Sequence, residues 1–308
     1  MSNNEFVNKG ATKNSGEGRT LWEEIRRRFK KNKFAVVSMY FLIFLIALAI
    51  VTIVIDIVDN SNIYNNYVIK QNLKDKLREP EFGNPSMIFG CDEFGRSILF
   101  RMIWGTRYSL FIGLIAVTVS LITGGLIGSI AGYYGGKIDN TIMRFMDILL
   151  AIPYMLLAIA IVSALGPSLI NLLISIAIPK IPSYARIVRA SVMSIKDLEF
   201  IEAGKSAGAS DIRTIFKYIL PNAMAPVIVQ ATLGVADAII SISALSYLGL
   251  GVQPPLPEWG AMLSAAKTYI RDAWHITVIP GLGIMFTILA LNIFGDGLRD
   301  ALDPKLQH

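Results

Sequence analysis

The sequence predicts an all-α integral membrane protein with six transmembrane helices and with both ends on the cytoplasmic side. Three observations carry that expectation. Hydrophobic residues fill 53% of the 308 positions and charged residues only 17%, with mean hydropathy +0.53, whereas a soluble domain carries about 25% charge. Uncharged apolar runs near the roughly 20 residues needed to cross a bilayer recur along the chain. The basic residues behind the net charge of +6 flank those runs, a pattern of membrane topology rather than of nucleic-acid binding. The same composition excludes disorder for most of the chain. One cysteine excludes an intramolecular disulfide framework, and two histidines, His275 and His308, exclude a His-rich metal site. No metal and no cofactor is expected.

The elements follow in order. Residues 1–20 are polar and read as a disordered tail; residues 21–33 read as a basic amphipathic helix on the membrane surface, closing a cytoplasmic segment 1–33. The first span, Phe34 to Ile55 within segment 34–58, is too long for a signal-peptide core and lacks small residues at its end, so it is expected to be retained. Residues 59–105 form a long external loop. The remainder, 106–308, holds five further spans: Ser109 to Tyr133, Ile148 to Leu165 with an amphipathic lead-in from Asn140, Ser168 to Ile178, Ala223 to Leu250, and Trp274 to Phe294. The fourth is the weakest, because Pro179 and Pro182 close it. Most of the 29 Lys and Arg residues fall in the segments this order places inside, and the cluster Arg26-Arg27-Arg28-Phe29-Lys30-Lys31 abuts the first span. No fixed-period repeat is visible.

The internal polar segment, about 183–222, is the most informative. Glu199 to Ala207 suits a short helix, Gly208 its left-handed C-terminal cap, and Ser210 the N-cap of a second helix with Asp211 in its first turn. That helix is expected to stop near Pro221, with Asn222 capping the next span. Ala203, Gly204, Ala207 and Gly208 leave a turn almost free of side chains, fit to press into a groove on another protein; a plain re-entry hairpin is the alternative. Gly204-Lys205-Ser206 is no phosphate-binding loop, because the required glycine five residues before the Gly-Lys pair is Glu199.

This segment resembles the coupling loop of binding-protein-dependent ABC importer permeases: Glu202, Ala203 and Gly208, followed by Ile219-Leu220-Pro221, with Gly204 in place of the usual second alanine. Three more segments are similar to the C-type permease subunit of the dipeptide/oligopeptide/nickel importers. They are Gly90-Cys91-Asp92-Glu93-Phe94-Gly95-Arg96-Ser97, with Cys91 and Ser97 where Thr and Asp are usual; Leu245 to Pro255 ending in Glu258-Trp259-Gly260; and Gly295-Asp296-Gly297-Leu298-Arg299-Asp300 with Leu302-Asp303-Pro304. The resemblance runs from Arg26 to the C-terminus.

The resemblance implies a type I ABC importer permease with cytoplasmic coupling helices, in a prokaryotic cell membrane. It implies a heterodimer with a second, B-type permease, two cytoplasmic ATPase subunits docked on the coupling loops, an extracytoplasmic substrate-binding protein, and a peptide as substrate. Nickel or a nickel chelate is the alternative cargo. ATP hydrolysis then belongs to the partners and the chain has no catalytic residues. Glu202, Ala203, Gly204, Gly208, Ile219, Leu220 and Pro221 are the expected coupling residues, and Gly90, Asp92, Glu93, Gly95 and Arg96 the extracytoplasmic motif. A proton-coupled secondary transporter is the rival outside the family; it needs more intramembrane acids.

Single residues carry further expectations. Asp237, mid-span, lines the substrate path or pairs with another helix. Relatives in this family often carry a Glu five residues on, where this chain has Ile242, about 140° away around a helix. Gly124, Gly128, Gly132 and Gly136 form a ridge for close helix packing. Arg144 and Asp147 pair locally, Pro153 kinks the third span, and Trp259 and His275 sit at the membrane interface.

Overall fold

Inside a bilayer, backbone polar groups find no water, so long apolar runs close their hydrogen bonds within helices. The computed structural model describes residues 21–302 and is helical throughout, apart from connecting loops and one isolated bridge between Cys91 and Ser97. The tail at 1–20 and the terminal Asp303-Pro304 lie outside the described residues.

The helices are α1 (Leu21–Lys31), α2 (Lys33–Val58), α3 (Ile98–Tyr134), α4 (Gly136–Leu150), α5 (Tyr154–Leu165), α6 (Leu169–Ile195), α7 (Glu199–Ser206), α8 (Asp211–Arg213), α9 (Leu220–Tyr247), α10 (Trp259–Ala266) and α11 (His275–Leu302). Four stretches are long and apolar enough to cross a membrane: α2, α3, the continuous helix from Asp211 to Tyr247, and α11. The pair α4–α5 makes a fifth if its 82° bend lies within one span.

Helix α1 packs against α11, Phe29 meeting Phe294 edge-on at 5.6 Å between ring centres. Asn32 separates α1 from α2 and caps α2 by accepting the Ala35 N–H at 3.1 Å. The far end of α2 is tied to α3 by Asp56, which accepts the Trp104 indole N–H at 2.9 Å and the Arg107 guanidinium at 2.5 Å. One continuous core joins α2, α3, α5, α6, α9, α10 and α11.

The tightest contact is α3 on α6. A Cβ at Gly124 would meet the Ile181 carbonyl at 2.6 Å, one at Gly132 the Arg189 carbonyl at 2.9 Å, and one at Gly128 would overlap the Ala185 carbonyl. These three glycines form the expected packing ridge. Gly136 is not part of it: it lies in the α3–α4 turn at φ +54° with open space around it. Asp139, on α4, is gripped by both arms of the Arg189 guanidinium from α6.

Several expectations are corrected. The fourth run does not end at Pro179 and Pro182, because α6 carries both prolines in its interior and reaches Ile195. The polar connection after it is therefore shorter than 183–222. The third run is broken rather than kinked: Ala151-Ile152-Pro153 separate α4 from α5. Pro153 lacks an N–H and disfavours α-geometry in the residue before it. Asp147 pairs with Arg186 of α6 at 2.8 Å, not with Arg144. Helix α3 starts at Ile98, inside the expected external loop, where Ser97 caps it. Trp259 and His275 are buried: Trp259 donates to the Met102 carbonyl at 3.1 Å, and His275 Nε2 lies 3.3 Å from the Cys91 carbonyl.

Alanine at Gly125, whose nearest neighbour would lie 4.0 Å away, is expected to stabilise α3 by about 0.5–1 kcal/mol through helix propensity. Gly128→Ala is expected to destabilise by about 1–3 kcal/mol, since the Ala185 backbone must move. Opposite signs of the shift in Tm for the two variants in detergent check this.

Candidate functional site

Three neighbourhoods gather the residues singled out by sequence. The first is the α6–α9 connection. Ile201 faces inward from α7 and packs with Val188 and Val192 of α6, Ile219 and Val227. That anchoring leaves Glu202, Ala203, Lys205, Ser206, Ala207 and Gly208 exposed. A Cβ at Gly204 would rest 3.5 Å from the Tyr218 ring, so the alanine usual in related loops fits here too. The α7 C-terminus closes through Ala207 N–H to the Ala203 carbonyl, Gly208 N–H to that of Lys205, and Ala209 N–H to that of Gly204, at 2.9–3.1 Å. Gly208 sits at φ +84° with nothing near its missing Cβ, so backbone conformation alone calls for glycine. Ser210 caps α8 by accepting the Arg213 N–H at 3.4 Å.

Asp211 also holds this turn to the end of α3. Its carboxylate accepts the hydroxyls of Tyr133 at 2.7 Å and Tyr134 at 3.2 Å, while Lys205 stands 5.1 Å from the Tyr133 ring centre. Sequence reasoning passed over these tyrosines, which lie 77 and 78 residues away along the chain. The expected stop at Pro221 does not occur. The helix runs from α8 through a π-helical turn, Thr214–Ile219, straight into α9. Pro221 falls in the first turn of α9, and the Asn222 side chain, instead of capping, donates to the Tyr218 carbonyl at 2.6 Å. Ile219 is buried, Leu220 half-buried and Pro221 exposed.

The second neighbourhood is a cleft of about 490 Å³ at the α4–α5 break, lined by α6 and α9. Asp237 opens into it and bonds Lys180 of α6 at 3.1 Å. Lys180 also stands 5.4 Å from the Tyr154 ring centre. Tyr184 lines the cleft, its hydroxyl buried without a hydrogen-bond partner among the described residues. A Cβ at Gly234 would overlap that hydroxyl. Lys180 escaped notice because the flanking prolines read as the end of the span; a lysine inside an apolar run was the available signal.

The third is the connection between α2 and α3. Asp92 organises it: Oδ1 accepts the N–H groups of Phe94 and Arg96, each at 2.9 Å, and Oδ2 pairs with Arg96 Nε at 2.7 Å and Arg101 Nε at 3.4 Å. Gly90 and Gly95 take φ +74° and +71°; Gly95 presses on the Asn72 backbone, and Gly90 on the Arg78 carbonyl and the His275 ring. Glu93 lies 3.4 Å from Arg96, and burial, with Asp92 adding to it, raises its carboxyl above the usual range. Arg101 reaches on to the carbonyls of Val68 and Pro255 at 3.0 and 3.3 Å, joining this loop to the α9–α10 connection. Glu258, fully buried, caps α10 by accepting the N–H groups of Gly260 and Ala261 at 2.8 and 2.7 Å. Burial pushes its carboxyl up and those N–H groups hold it down. Burial also pushes the Cys91 thiol up to about 11.

Comparison with known proteins agrees with this architecture. Residues 124–308 match the family model described as the binding-protein-dependent transport system inner membrane component, and residues 20–74 match the N-terminal TM domain of oligopeptide transport permease C. The chain is 45% identical to the di/tripeptide transport system permease protein of Pseudomonas aeruginosa, covering 93% of each chain. It is 46% identical to the dipeptide transport system permease protein of Alkalihalophilus pseudofirmus over 93% of this chain and 90% of that one. It is 42% identical to the glutathione transport system permease protein of Pectobacterium atrosepticum over 94% and 93%. A solved inward-facing MetNI methionine ABC transporter shares the fold, with TM-score 0.55 at 16% identity over 67% of this chain and 98% of that one. The chain therefore belongs to the inner membrane component family of binding-protein-dependent transport systems, as a C-type permease.

Two outcomes follow from these geometries. Asp211→Ala removes both tyrosine contacts, and amide exchange across residues 203–213 is expected to speed up roughly fivefold, read by hydrogen–deuterium exchange mass spectrometry. With its thiol near 11, Cys91 carries on the order of one thiolate in a thousand at pH 8. Maleimide labelling of folded protein is expected to be at least about 100-fold slower than for an ordinary surface cysteine.

Proposed function

We propose that this chain is the membrane-spanning permease subunit of an ATP-driven importer for oligopeptides or dipeptides. The observation that carries the reading is its kinship, at 42–46% identity over nearly the full length, with permeases named for di/tripeptide, dipeptide and glutathione transport. Glutathione is itself a tripeptide, so these cargoes share one chemistry. The chain forms the translocation path as a heterodimer with a second, B-type permease. Two ABC ATPases dock on its cytoplasmic side, and an extracytoplasmic binding protein delivers the substrate.

On this reading the chain crosses the membrane six times, through α2, α3, the bent pair α4–α5, α6, the Asp211–Tyr247 helix and α11. An even count puts both ends on one side, and Arg26, Arg27, Lys30 and Lys31 of α1 put that side in the cytoplasm. The α6–α9 connection then faces the ATPases. The exposed face from Glu202 to Gly208 enters a groove on the ATPase, its small residues allowing close contact. Ile201 and Ile219 seal α7 and the turn before Leu220-Pro221 onto α6 and α9, and Asp211 pins the turn to α3. Closure of the ATPase dimer on ATP therefore moves three helices together, which is what alternating access requires. The loop built on Gly90, Asp92, Glu93, Gly95 and Arg96 faces the binding protein.

Reconstitution with the second permease, the ATPases and the binding protein tests the reading: peptide uptake is expected to require ATP hydrolysis. Uptake driven by a proton gradient without the ATPases would overturn it. Gly208→Val places a β-branched residue where φ is +84°, a strain of about 1–2 kcal/mol, and is expected to leave insertion and ATPase activity in place while cutting uptake roughly tenfold or more. Gly208→Asn, which tolerates that conformation, is expected to keep most of it.

A further inference from the structure

We propose that Lys180 and Asp237 form a recognition site for the two charged ends of a peptide on its way through the membrane, Lys180 taking the α-carboxylate and Asp237 the α-ammonium. The proposal rests on the peptide-importer reading and names the groups that carry it.

Charges at the depth of α6 and α9 need partners, and these two have each other at 3.1 Å. Their exposure is unequal. The Lys180 side chain is 14% exposed and tucked over the Tyr154 ring, whereas that of Asp237 is 63% exposed and opens into the cleft. A pair whose only task was to join α6 to α9 would gain from sealing both groups. The Tyr184 ring closes the same cleft from α6, its hydroxyl packed against Gly234 of α9 and out of reach of a ligand. The break at Ala151-Ile152-Pro153 makes one wall, and irregular backbone at membrane depth is tolerated where it lines a cavity. The cleft, about 490 Å³, lies in the range that takes small ligands.

Charge balance explains why an ion pair suits this cargo. A peptide with free ends is a zwitterion. When the Lys180–Asp237 contact opens around it, each protein charge trades its partner for a terminus of the same sign. Four charges form two pairs where two formed one, and none is left bare. A neutral wall would leave both termini unpaired out of water, which is costly.

The test uses the complete importer in proteoliposomes with three probes, alanyl-alanine, trialanine and glutathione, reading uptake per ATP hydrolysed alongside ATPase stimulation by the loaded binding protein. Lys180→Met and Asp237→Asn are each expected to lower uptake of the transported probe at least tenfold. The double variant Lys180→Met/Asp237→Leu leaves no unpaired charge, so it is expected to assemble and keep stimulated ATPase activity while uptake stays at least tenfold down. Wild-type uptake by either single variant or by the double one, or a double variant that does not assemble, makes the pair structural and overturns the proposal. A wild-type complex that moves none of the three probes overturns the peptide reading itself, a result distinct from any variant's failure.

Discussion

The approach of α3 to α6 through Gly124, Gly128 and Gly132 sets where the other helices lie. Without side chains at those positions, backbone meets backbone, and dispersion contacts gather along several turns. In lipid this matters more than hydrophobic burial, because lipid tails solvate leucine as well as another helix does. The contact fixes the direction of α6. That direction carries Arg189 to Asp139 on α4, Arg186 to Asp147, and Lys180 to Asp237 on α9. One helix, through side chains on more than one of its faces, thus ties in both the bent α4–α5 pair and α9. The expected consequence is mechanical: a push at the α7–α8 turn reaches α6 and α3 as one body.

The sequence made some of this plain and hid the rest, for physical reasons. The runs behind α2, α3 and α11 exceed the thickness of a bilayer without a charge at their centres, so the hydrophobic effect marks them almost unaided. The turn at Gly208 was legible because few residues take a positive φ, and its φ of +84° fits that reading. The course of α6 was not legible. Pro179 and Pro182 break isolated helices by removing N–H donors, but tertiary packing holds this one together. Pro221 misled in the same way, since a π-helical turn ahead of it and the Asn222 side chain absorb the break. Local propensity lost each time to contacts made far along the chain.

Buried residues in the loops were misjudged for the opposite reason. Trp259 and His275 looked like interfacial anchors because aromatic and amphipathic rings gather at the membrane surface. The connections around α10 instead fold onto the same core as the long helices, where Trp259 and His275 each lose their solvent. Asp92 and Glu258 make that burial possible, each satisfying backbone N–H groups that would otherwise be stranded.

The ion pairs divide by exposure, and the division separates holding from handling. Arg107–Asp56 has both side chains at or below 14% exposed, and Arg189–Asp139 reaches only 28%. Each joins neighbouring helices, and opening either would leave charges with no new partner. Asp237 is 63% exposed while Lys180 is 14%, so of these inter-helix pairs this one alone sets an open group against a covered one. Arg186–Asp147, near 60% on both sides, lies far enough open for solvent to screen it. A pair with one covered and one open member keeps enough field at the covered charge to attract a partner and enough access at the open one to exchange it. Of the four pairs, Lys180–Asp237 alone meets both conditions, and it does so beside the break in the helix wall.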